Sequence, residues 1–200
     1  MRKVLMFSFA FALSIFFLSG CNSTINVAEA VQLKKNRNLY TAYNIWYEDK
    51  NDIDAENIIK GKFLPYGSQV SVDEAYENSY FGFSRIVLRD LATNEDFVIK
   101  FSNNRMLMTP ESFLRTMLTT KNKDEQKAVI RAEFLPMVEK GKVVKGMNRN
   151  EVLKTYGPPP KSRTPSFLDD TWVYWNGDNG SFRIVFGNNA VSEIIDLEDF

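Results

Sequence analysis

GMNRNEVLKTYGPPP, residues 146–160, carries its own start and stop signals and decides how the second half of the chain is read. Asn148 and Glu151 have the spacing of a capping box, in which the Asn148 side chain accepts from the Glu151 amide and the Glu151 carboxylate reaches back to the Asn148 amide. Met147 before the box and Val152 after it are placed to close over it as a hydrophobic staple. The helix so begun runs through Leu153 to Tyr156. Gly157 then supplies a residue free to take positive φ, and three prolines at 158–160 forbid continuation.

Toward the C-terminus the pattern changes to strands at Thr171–Trp175, 181–186 and 190–195, with turns at 176–180 and 187–189 rich in Gly and Asn. Phe182, Ile184 and Phe186 alternate with Arg183 and Val185, so one face of the middle strand is buried. Trp172 and Trp175 fall on opposite faces of the first strand. An exposed Trp on a small sheet is a favoured contact, which makes Trp172, Tyr174, Trp175 and Met147 the candidate partner-binding residues. Upstream, Asp124 opens a helix expected to run to Lys140 and to bend or end near Pro136. Residues 124–200 are therefore expected to form a domain of two helices on a three-stranded meander.

The span 38–120 reads differently. Aromatic and β-branched residues at 39–47, a turn around Pro65 and Gly67, and the pair 84–89 and 97–101 predict four or five short strands in a small antiparallel sheet. Thr109 as a cap and Pro110 at the first helical position start a helix with Phe113, Leu114, Met117 and Leu118 on one face. The expected fold class is α+β, an N-terminal antiparallel β domain ending in a helix, followed by the helix–meander domain, with the border between residues 119 and 124.

The order Gly146-Met147, Glu151-Val152, Gly157, Pro159, Trp172-x-Tyr174, an apolar strand at 182–186 and a turn at Asn188 and Asn189 resembles the SmpA/OmlA (BamE-like) family of bacterial lipoproteins. Asn148 replaces that family's usual Ser or Thr cap. The resemblance implies a BamE-like fold for residues 124–200 and a non-enzymatic scaffold role. It implies envelope proteins as partners, the β-barrel assembly machinery among them, in outer-membrane protein assembly or envelope integrity. The fold also occurs in secreted enzyme inhibitors, so binding of a cell-wall glycan, a peptide or an enzyme to be inhibited remains open beside it.

Residues 1–21, MRKVLMFSFAFALSIFFLSGC, form an address. Arg2 and Lys3 precede an uncharged run from Val4 to Leu18 that is too short to span a bilayer, which takes about 20 residues. Leu18-Ser19-Gly20-Cys21 resembles the bacterial lipobox, which implies signal cleavage after residue 20 and diacylglyceryl and palmitate modification of Cys21. Asn22 is not the Asp that holds many such proteins in the inner membrane, so the expected place is the outer membrane, facing the periplasm, with residues 21–37 as a lipidated tether.

Composition excludes several chemistries. The 200 residues include no His and one Cys, so Ser-His-Asp and Cys-His catalysis, His-ligated metals, an internal disulfide and paired-Cys metal sites are ruled out. The 25 basic and 25 acidic residues balance, and removal of residues 1–20 leaves two more acids than bases, unlike a nucleic-acid partner's face. No phosphate-binding glycine loop is present. Glu48, Asp49, Asn51, Asp52, Asp54 and Glu56 miss the calcium-loop template, with Asp54 where Gly is required and Lys60 at the final carboxylate position. No cofactor and no enzymatic role are expected, and Tyr40, Tyr43, Trp46 and Tyr47 are expected mainly in the core.

Overall fold

The computed structural model describes residues 22–31, 37–78, 83–177 and 180–197. The first elements are brief: β1 (Asn22–Thr24), α1 (Val27–Ala30), β2 (Leu39–Thr41), β3 (Ile45–Tyr47), β4 (Ile53–Asp54) and β5 (Lys62–Leu64). Three long strands follow, β6 (Gln69–Asn78), β7 (Phe83–Asp90) and β8 (Glu95–Ser102), then α2 (Asn103–Met106), α3 (Pro110–Met117) and β9 (Leu118–Thr119). The remainder comprises α4 (Lys123–Lys127), α5 (Leu135–Glu139), α6 (Arg149–Tyr156) and the strands β10 (Thr171–Trp175), β11 (Ser181–Gly187) and β12 (Ala190–Leu197).

The chain is mixed α and β but strands dominate, with a curled seven-stranded sheet ordered β4-β8-β7-β6-β2-β9 and β1 pairing β6 off that path. This corrects the expected architecture. A small antiparallel domain followed by a two-helix, three-stranded BamE-like domain is not what the chain builds. One reason is non-local pairing: β4 adds parallel to β8, and β9 returns from beyond α3 to pair with β2. The other is that the helix expected over 124–140 is two short ones. Asn122 caps α4 through a box with Glu125, and Pro136 lies in the first turn of α5, where its missing N–H costs nothing. The proline therefore opens a helix instead of bending one. Part of the expected tether is also packed, with Ile25 and Ala30 in the core under the sheet.

Two hydrophobic clusters result. In the first, β7 and β8 set Ile86 opposite Ile99 and Leu88 opposite Phe97, all at 3% exposure or less. Helix α3 covers them with Phe113, Leu114 and Met117, and the Phe113 ring lies 5.1 Å from that of Phe101. Thr109 caps α3 and Pro110 starts it, as the sequence indicates. The second cluster lies between α5, α6 and the meander β10-β11-β12, whose strands fall where the alternation placed them. It is largely aromatic: Trp172 packs 4.8 Å from Phe186, and Tyr174 stacks 5.7 Å from Phe182. Asn188 and Asn189 both take positive φ at the β11–β12 turn.

The two clusters meet at the C-terminal end of α6. A helix leaves its last four carbonyls without intrahelical partners. Here the Gly157 amide donates to the Leu153 carbonyl, and the other three are satisfied from the other half of the chain. The Asn44 amide donates to the Lys154 carbonyl at 3.1 Å, and Trp46 Nε1 donates to the Thr155 carbonyl at 3.0 Å. The Asn57 side chain donates to the Tyr156 carbonyl. Gly157 follows at φ +70°, where a Cβ would come within 2.6 Å of both Asn57 Nδ2 and the Tyr43 ring. No other residue fits that corner without displacing the cap.

Candidate functional site

The junction is built on Asn44, which is fully buried and uses its whole amide. Its Nδ2 donates to the carbonyls of Val138 at 3.2 Å and Thr155 at 3.3 Å, and its Oδ1 accepts from the Tyr66 amide at 2.9 Å. Tyr66 comes from the N-terminal half yet belongs to the second cluster at 1% exposure. Trp46 lies between the rings of Phe63 and Tyr156 at 4.9 and 6.0 Å. These aromatics are spent on joining the two halves.

Beside this junction a cleft of about 480 Å³ opens between α4, α6 and the segment that follows β2. Tyr43, Gln126, Val129, Leu153, Lys154 and Phe167 line it, and among the described residues no Asp or Glu does. Lys154 Nζ donates to the Ala42 carbonyl at 2.6 Å and to the Gln126 side-chain oxygen. Gln126, at 1% exposure, is held in turn by donating to the carbonyls of Thr41 at 3.1 Å and Lys121 at 2.8 Å. Burial pushes the Lys154 amine down to about 8, and the neighbouring Lys121 charge pushes the same way. Burial, with the Glu139 charge, raises the Tyr66 phenol to about 12, and burial raises that of Tyr43 as well.

A half-buried amine with a lowered pKa in a largely apolar cleft is the kind of group that binds an anion or exchanges a proton. Tyr66 adds to the setting, with Lys123 Nζ and Lys154 Nζ each 5.9 Å from its ring centroid. None of this was legible locally. Lys154 reads as an ordinary helix-surface lysine, and its partner Ala42 lies 112 residues away. The one available signal was the burial of its neighbours Val152 and Thr155, which leaves Lys154 at the edge of a packed face.

No family model, curated protein or solved structure matches this chain.

The residues singled out from sequence are placed as follows. Met147, Trp172 and Tyr174 are at zero exposure, and their partners are internal: Tyr174 Oη donates to the Gly157 carbonyl at 2.8 Å. Core positions cannot present a surface while the fold is intact, so of the four candidates only Trp175 is open to a partner. It is half-buried, with the Arg163 guanidinium 4.5 Å from its ring centroid. Cys21 lies outside the described residues. Four of the acidic residues after β3 are matched by cations, Glu48 with Lys60 at 3.0 Å, Asp52 with Lys100 at 2.8 Å, and Asp54 and Glu56 with Arg105, while Asp49 accepts from Asn51. The capping box of α6 is present, and its carboxylate has a second task. Glu151, with no exposed side chain, also accepts from Arg131 at 2.6 Å. Burial raises the Glu151 carboxyl, but the Arg131 hydrogen bond and the Asn148 and Arg131 amides outweigh it and leave the pKa below the ordinary value.

Proposed function

We propose that this protein is a lipid-anchored module of the bacterial outer membrane that faces the periplasm and acts by binding, without catalysis. The observation that carries the reading is Leu18-Ser19-Gly20-Cys21 behind a two-charge n-region and a short apolar run, with the chain's single Cys at the one position this chemistry uses. Each buried CH₂ of an acyl chain contributes about 0.8 kcal/mol, so several chains on one residue hold a protein to a membrane where one does not. Because β1 begins at Asn22, a lipid on Cys21 would hold the curled sheet close to the bilayer surface. The partners on this reading are envelope proteins, with components of the β-barrel assembly machinery the first to test.

Growth of expressing cells with an alkyne analogue of palmitate tests the anchor. The wild-type chain is expected to take up the label and to fractionate with the outer membrane, and Cys21→Ala to do neither. Equal labelling of both would overturn the reading. A mild-detergent pull-down of the labelled form then asks which envelope proteins accompany it.

A further inference from the structure

We infer that the cleft beside α6 binds a small amphiphilic carboxylate, an apolar body ending in one anionic head. This names a ligand class for the binding role proposed above, and it does not depend on the lipid anchor. The first ground is charge. Many basic side chains elsewhere are ion-paired, among them Lys50 with Glu95 at 2.6 Å, Lys127 with Glu139 at 2.8 Å and Arg149 with Asp170 at 2.9 Å. At the cleft, Lys154 and Lys121 meet no carboxylate among the described residues. Lys154 spends two of its three N–H bonds on the neutral oxygens of Ala42 and Gln126, which leaves one donor for an anion. An ammonium half withdrawn from water without a counter-ion carries a desolvation cost, and a ligand carboxylate would supply the missing charge.

The second ground is the lining. Leu153, Pro158 and the apolar faces of Val129 and Phe167 form its walls. Val129 is 57% exposed and Phe167 38% exposed, so the mouth presents apolar surface to water. Its volume of about 480 Å³ falls within the range of small-ligand sites. Among the described residues no arginine lines the cleft. A phosphate head, which favours bidentate guanidinium contacts, is less well served there than a carboxylate that needs one or two donors.

The test is calorimetric titration of the full chain in phospholipid nanodiscs with octanoate and, separately, with octanol, using empty discs as the blank. Octanoate is expected to bind at least about tenfold tighter than octanol at pH 7, the margin of one charge-assisted hydrogen bond. Lys154→Gln is expected to abolish that preference while octanol binding persists. Val129→Glu, at an exposed position of the mouth, is expected to weaken octanoate more than octanol. If Lys154→Gln fails to fold, the exposed variants Val129→Glu and Lys121→Gln decide the matter through the same ratio. Equal affinity for the two probes, no binding of octanoate, or a preference that survives these variants would overturn the inference. Loss of palmitate labelling with the octanoate preference intact would overturn the anchor alone, and the reverse result the cleft alone.

Discussion

The sheet around β6, β7 and β8 and the meander β10-β11-β12 reach their cores by different routes. The first is covered by its own helix α3, and its aliphatic pairs sit opposite one another on neighbouring strands. The second is aromatic and incomplete without the other half: Tyr66 is one of its core residues, and the carbonyls at the end of α6 are capped by Asn44, Trp46 and Asn57. A region with clear local signals can still depend on distant residues. The difference places the cleft, because the lysine that ends up without a counter-ion lies on the helix the two regions share.

Substitutions sharpen this comparison in order of size. Trp172→Ala empties the centre of the aromatic core and is expected to cost about 3–5 kcal/mol in urea unfolding. Asn44→Ala removes no apolar core yet strands the Tyr66 amide and loosens the Val138 and Thr155 carbonyls, for an expected loss of about 1–3 kcal/mol. An Asn44→Ala effect near zero would mean that the halves do not rely on each other.

Acid and alkali probe the same junction in opposite directions. The Glu151 carboxyl is lower in the folded chain than in the unfolded one. Its contribution is therefore present at neutral pH and lost as pH falls through the folded value, and Glu151→Gln is expected to flatten that acid limb. Lys154 titrates at about 8 when folded against 10.5 unfolded, so between those values the unfolded chain binds more protons and stability rises with pH. The buried tyrosines reverse the trend above about 10, because unfolding releases phenols that ionise more readily. Lys154→Met is expected to remove the rise between pH 8 and 10, measured by unfolding midpoints across that range. The smallest expected effect is that of Val129→Glu on stability, within about 0.5 kcal/mol, since the side chain is mostly exposed.

What the sequence made legible was what neighbours in the chain decide. The Asn148–Glu151 capping box, the Thr109–Pro110 helix start, the positive-φ asparagines at 188 and 189 and the burial alternation of β11 all arise within a few residues. The α4–α5 break departs from the expectation of one helix over 124–140 that bends or ends near Pro136, whereas Pro136 lies in the first turn of a second helix. The sheet order was not legible, since pairing of β2 with β9 joins Tyr40 to Thr119 and no local pattern encodes that. Of the site, Trp172 and Tyr174 were noticed for the right property, aromatic bulk, but bulk is also what a small core buries first. Lys154 and Gln126 went unseen because their meaning comes from Ala42 and Thr41, far away in the chain.

The most direct test of the account is equilibrium urea unfolding of the full chain, followed at once by far-ultraviolet circular dichroism and by fluorescence of Trp46, Trp172 and Trp175. The seven-stranded sheet dominates the first signal, and the junction and aromatic core dominate the second. If α6 ties the halves together, the two transitions coincide and Asn44→Ala shifts both by the same amount. Separate transitions in the wild-type chain, with Asn44→Ala moving only the fluorescence, would contradict it.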